Sequence, residues 1–198
     1  MSHFTAALIV LAAMLAPQAA LGAAPPQARA AATKVAGAPN SEASIPYPGY
    51  RLERRAMWTL GSWAGLNMIS GAVGLAVSDD PRWRGFHEMN IGWNVVNLGL
   101  AGFSLLTLEE RAASAWAAYK RSKRLESILL VNVGVDVAYL VAGGWLWHHG
   151  RERGDPRRHG WGQSLVVQGG ALLLFDAIFA WRQSNITEQL ARRLRERP

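Results

Sequence analysis

This sequence predicts an all-α protein: an antiparallel four-helix transmembrane bundle, built from two helical hairpins that look related. Three observations predict it. Four apolar windows, Met57–Val77, Met89–Leu108, Ile128–Trp147 and Gln163–Trp181, each have the length that crosses a hydrocarbon core about 30 Å thick. Inside them the only formal charges are Asp136 and Asp176, so none carries the charged stripe of a helix with one face in water. Polar side chains recur within the windows at helical spacing. The mean hydropathy of +0.03 averages these oily windows with arginine-rich ends.

The first 23 residues resemble a secretory signal. Phe4–Leu15 is an apolar run too short to span, Pro17 interrupts it, and small residues follow to Ala23. Only His3 stands where a cationic start is usual. Residues 24–50 are rich in Ala and Pro and predict a flexible tether, with little to bury. Arg51, Arg54 and Arg55 then anchor the first span at headgroup level.

A four-helix membrane domain is expected over 51–184. The first connection holds Asp79-Asp80-Pro81 and is short enough to make a hairpin. The second, Glu109–Ser127, reads as a separate amphipathic helix on the membrane surface. Thr107-x-x-Glu110 is its expected cap, and Trp116, Tyr119 and a Lys/Arg cluster sit at its interface. In the third, Gly154-Asp155-Pro156 marks a turn. The basic tail, 185–198, is expected to carry the last helix into water.

The polar side chains form stripes. In span two Asn90, Asn94, Asn97, Ala101 and Ser104 share one helical face. Span three repeats the spacing with Asn132, Asp136, Tyr139 and Gly143, and span four has Gln168 and Asp176. Span one offers Asn67 with Ser70, Gly71 and Gly74. Lipid tails give these groups no partner, so they are expected to face one another. Asn67, Asn90, Asn94, Asn97, Asn132, Asp136, Gln168 and Asp176 therefore form the candidate polar core. Amides at such positions commonly fix helix packing, whereas a carboxyl at membrane depth is costly and points to function. Close helix approach is expected at Gly61-x-x-x-Gly65, Gly92 with Gly99, and Gly143-Gly144. Asn67 leads Gly74 as Asp136 leads Gly143, and Asn90 and Asn97 match Gln168 and Asp176, the basis for relating the hairpins.

Other chemistry is thin. The chain has no cysteine, which excludes disulfides and thiolate metal sites. His148, His149 and His159 match no metal-ligand spacing, and no cofactor is expected. His87-Glu88 opens span two as a surface acid–base pair or a cap. The net charge of +7 comes without a recognition motif, so lipid headgroups are the expected partners and nucleic acid is not. Most of the nine tryptophans fall near span ends, as in an interfacial belt; Trp63 and Trp93 lie deeper.

The string Phe86-x-x-Met89-Asn90-x-x-Trp93-Asn94-x-x-Asn97 resembles a bacterial family of four-helix membrane proteins of unknown function. So do Trp58-Thr-Leu-Gly-Ser-Trp-Ala-Gly-Leu-Asn67 and Gln168-Gly-Gly-Ala-Leu-Leu-Leu-Phe-Asp176. The resemblance covers about Arg54–Arg182. It implies four spans and weight on Asn90, Asn94, Asn97, Asp136 and Asp176, and no activity. The reading is a multi-pass protein of the bacterial inner membrane, a structural or interaction module and not an enzyme. It would contact lipids and a protein partner or second copy. The alternative is a small proton-coupled transporter or channel using Asp136 and Asp176. An enzyme built on His87 and Glu88 ranks behind both. Thirteen Lys/Arg near the first span, in the second connection and in the tail stand against six in the other connections. That places the first three regions in the cytoplasm, although a cleaved leader would place them outside.

Overall fold

The computed structural model describes residues 44–196. The expected leader, 1–23, and most of the expected tether lie outside them. Among the described residues the elements are β1 (Ile45–Pro46), α1 (Tyr50–Val77), α2 (Pro81–Thr107), β2 (Arg111–Ala112), α3 (Ala115–Glu152) and α4 (Pro156–Arg195). These described residues are helical apart from one two-residue antiparallel strand pair and the short connections, with Ile45 opposite Ala112 and Pro46 opposite Arg111.

Local chemistry sets the helix ends. Asp80 accepts from the Arg82 N–H at 2.8 Å and Pro81 takes the first position of α2. Asp155 accepts from the Arg158 N–H at 3.0 Å, and Pro156 opens α4 in the same way. The Arg84 guanidinium satisfies the Leu75 and Ser78 carbonyls at the end of α1, both at 3.1 Å. The surface helix expected across the second connection is not a separate element. Ser114 is the cap, accepting from the Ala117 N–H at 3.1 Å. With no Gly or Pro before Gly134, α3 runs unbroken into the third apolar window.

Helix α4 is the centre of the packing. It lies against α2 and α3, while α1 lies against α2. In the most apolar stretch of α4, 39% of residues are buried, against 22% in α1 and 11% in α3. Helices α1, α3 and α4 are long and apolar enough to cross a membrane. Four such helices were expected; α2 is not among them, because Asn90, Asn94 and Asn97 sit in its apolar window. The 38 residues of α3 and 40 of α4 rise about 57 and 60 Å. Each helix is nearly twice as long as a hydrocarbon core of about 30 Å.

Close helix approach also differs from expectation. Gly65, Gly99 and Gly144 have no neighbour within 4 Å of where a methyl would sit. Of the expected positions Gly143 is tight, its methyl position 2.9 Å from Leu165 Cβ. The closest backbone contacts are at the other glycines, nearer the hairpin turns. A methyl on Gly160 would meet the Arg82 carbonyl of α2, and one on Gly162 the Trp147 backbone of α3.

Adding a methyl at these contacts tests the packing. Gly162→Ala should cost about 1–3 kcal/mol by overpacking and lower the melting temperature in detergent. Gly65→Ala should hold or raise it, since Ala favours a helix over Gly by about 1 kcal/mol. Equal destabilisation by the two variants would contradict this packing.

Candidate functional site

Three helices meet in a knot of amides. Gln168 on α4 donates through Nε2 to Asn90 Oδ1 on α2 and, at 3.2 Å, to Asn67 Oδ1 on α1. Its Oε1 accepts from Trp63 Nε1 on α1 at 3.2 Å. Asn90 Nδ2 donates to the Asn67 carbonyl at 2.9 Å, and Asn94 Nδ2 donates to the Asn90 carbonyl at 2.8 Å. Gln168 and Asn94 are essentially inaccessible, at 1% and 0% exposure. Ser70, read as part of the same inward face, is exposed instead. It satisfies itself on the Asn67 carbonyl one turn back, at 3.0 Å.

A second polar group joins α3 and α4. Asp136 and Asp176 are buried and lie close enough to interact directly, with the Asn132 side chain beside Asp176. Nearby, Trp93 of α2 meets Tyr139 of α3 edge to face, centroids 4.5 Å apart. Asn97 is buried and joins neither the knot nor the acid pair. Asn94 Oδ1, Asn97 Nδ2, Trp93 Nε1 and Asp136 Oδ2 are buried with no hydrogen-bond partner among the described residues. The interior therefore holds more donor and acceptor capacity than the chain itself uses.

A third polar cluster was not foreseen from the sequence. Tyr47, expected in a flexible tether, is 3% exposed. Its N–H donates to the Glu110 carbonyl at 3.0 Å, and its hydroxyl accepts from Gln183 Nε2 at 3.2 Å. Gln183 also donates to Ser122 Oγ at 2.7 Å, and Ser122 pairs with Thr187 at 2.9 Å. The Arg121 guanidinium lies over the Tyr47 ring, 4.1 Å from its centroid, and bonds Glu53 at 2.7 Å. Burial first, then the Glu53 carboxylate, push the Tyr47 phenol well above its ordinary range, so it stays protonated. This clasp ties the segment before α1 to the start of α3 and the C-terminal part of α4. One signal for it was available: Phe179, Gln183, Thr187 and Leu190 continue the inward face of α4 past its apolar window.

The remaining candidates disperse. Glu88 bonds Arg157 of α4 at 2.8 Å. The His87 ring lies on Gly74 of α1 and edge-on to Phe86, so the two neighbours do not work as a pair. His148 bonds Glu152 at 3.2 Å, His149 stacks on Trp145, and His159 lies beside Trp147. Among the described residues no three His, Asp or Glu side chains converge as a metal site requires.

A family model described as a family of unknown function (DUF6992) matches residues 59–177. No curated protein and no solved structure matches. The matched stretch takes in the whole amide knot and the acid pair. Tyr47, Glu53, Gln183 and Thr187 of the clasp fall outside it.

The knot is open to a direct test. Gln168→Leu should cost about 1–3 kcal/mol, because it leaves buried partners unsatisfied. A double-mutant cycle of Asn67→Ala with Gln168→Ala should show a coupling of about 0.6 kcal/mol, no more than about 1.7. Zero coupling would mean the two amides do not meet.

Proposed function

The chain belongs to this family of unknown function, and on that premise we propose that the protein is a multi-pass membrane protein. All four helices cross the bilayer as an antiparallel bundle, and the protein serves as a structural or interaction module, not a catalyst. One observation carries the reading: polarity is inverted relative to a water-soluble core. The largest fully buried side chains are Gln168, Gln183, Asn94, Ser122 and Ser164. Large apolar side chains lie outside, Leu66 at 68%, Val73 at 58%, Val141 at 68% and Leu174 at 66% exposure. Water would penalise such a surface; lipid tails would solvate it. Helix α2 follows the same rule, with its asparagines inward and Val95, Phe103 and Leu106 outward, which supports it as a fourth span.

The clasp also bears on orientation. It gathers the start of α1, the second connection and the end of α4 at one end of the bundle. Thirteen Lys/Arg belong to those regions and six to the other connections. That asymmetry supports the clasp end in the cytoplasm of a bacterium, the membrane being the inner one. The facing carboxyls of Asp136 and Asp176 favour a second reading, a small proton-coupled transporter or channel. The partner expected is then a second copy, since four helices alone enclose little space.

The chain has no cysteine of its own, so single cysteines report depth cleanly. Val73→Cys should resist a charged maleimide in sealed vesicles. Asp79→Cys and Glu109→Cys should react from opposite sides. Recovery of a folded monomer in the aqueous phase without detergent would end the membrane reading. The transport reading stands if Asp136→Asn or Asp176→Asn abolishes pH-dependent solute flux in vesicles, and fails if flux is unchanged.

A further inference from the structure

At the clasp end, α1 and α4 leave an open groove between them. Its rim is cationic: Arg51 and Arg55 sit one turn apart on α1, and Arg182 faces them from α4 with the Asn185 amide alongside. Its floor is apolar, from Leu52 and Ile186, and Trp181 forms one wall.

Three arginines line this one groove and no carboxylate does. Four arginines elsewhere are paired with carboxylates: Arg121 holds Glu53, Arg157 holds Glu88, Arg158 holds Asp155 and Arg192 holds Glu188. Arg51, Arg55 and Arg182 have no acidic partner among the described residues, and no carboxylate lines the groove. Glu53 of α1 lines a different cleft and is taken by Arg121 at 2.7 Å. Guanidiniums lining one groove repel one another, and an anion between them relieves that repulsion. Helix α1 also opens on Gly49 with no side-chain cap, so the positive end of its dipole stays at this end.

The depth selects the anion. Trp181 and Trp58 are exposed, at 67% and 58%, and mark the limits of the apolar windows on α4 and α1. Exposed indoles at span ends belong at headgroup level. The groove therefore opens where phosphodiesters lie, with an oily floor running toward the acyl region. Guanidinium forks suit phosphate oxygens. A free phosphate ion would make no use of Leu52 and Ile186; a glycerophospholipid would use both floor and rim.

We infer that this groove is a binding site for one anionic glycerophospholipid, its phosphate held by Arg51, Arg55 and Arg182 and its glycerol and upper acyl chain lying on Leu52 and Ile186. The inference rests on the membrane reading above and goes beyond it by naming a site and a ligand class.

The test uses the full chain in nanodiscs of phosphatidylcholine with phosphatidylglycerol as the minor lipid, followed by native mass spectrometry of the released protein. One phosphatidylglycerol should stay bound in preference to phosphatidylcholine. R51Q/R55Q/R182Q should lower that retention at least about tenfold. R54Q/R193Q/R195Q removes the same charge at the same end outside the groove and should retain the lipid. Equal loss in both variants, or equal retention of the two lipids by the unmodified chain, overturns the site. Displacement by inorganic phosphate at matched concentration overturns the lipid assignment. Membrane fractionation of every variant runs alongside. A chain that fractionates with membranes yet shows no lipid preference refutes the groove alone; a water-soluble chain refutes the membrane reading itself.

Discussion

Hydrocarbon offers no hydrogen bonds, and under the membrane reading proposed above the arrangement of this protein follows from that constraint. A polar side chain on a helix in lipid must find its partner on another helix or on its own backbone. The chain uses both solutions. Gln168 reaches across to Asn90, Asn67 and Trp63, whereas Ser70 and Thr107 turn back on carbonyls of their own helices. The first kind of bond fixes which helices meet and in what register. The second kind permits a polar residue on an outer face at little cost. Each interhelical bond contributes little alone; several converging on one glutamine set a single register where apolar contact alone would let helices slide.

Backbone contact supplies the remaining specificity. Lipid tails are as apolar as leucine, so helices in a membrane gain chiefly from close fit. Gly160 and Gly162 bring α4 onto the backbones of α2 and α3 near the hairpin turns. The amide knot lies further along, and the clasp joins the opposite ends. Helix α4 is therefore held by backbone fit at one end, and by polar bonds together with the buried apolar contacts of Leu172, Phe179 and Leu190 along the rest.

Much of this was legible in the residues, because the physics behind it is local. The four windows fall on four helices, the second running one residue past the end of α2, and the stripe of Asn90, Asn94, Asn97 and Ala101 is buried as its period requires. What escaped the reading depends on tertiary context. The apolar windows mark where oil is needed and not where a helix stops, so the fusion of the connecting helix with α3, and the turns of α3 and α4 that fill most of the third connection, went unseen. Tyr47 lies among residues of turn-forming type, and nothing local says that Gln183 comes to meet it. Glycine spacing marked Gly61 and Gly65, yet close approach requires a facing backbone, and only the packed structure shows that Gly160 and Gly162 have one. Polar content also cut the other way: the asparagines that make α2 central to the knot dilute the hydropathy that would mark it as a span.

The clasp has a consequence for how the molecule is made. Tyr47 emerges from the ribosome early, Ser122 midway and Gln183 nearly last, and the bonds joining them cannot form until all three exist. The amide knot has the same dependence, since Asn67 and Asn90 must wait for Gln168. Helices α1 to α3 thus carry open donors and acceptors until α4 is made, and its synthesis completes them together. The final helix is the one that closes both polar clusters, and a chain lacking it leaves the amides of the first two helices without their partner.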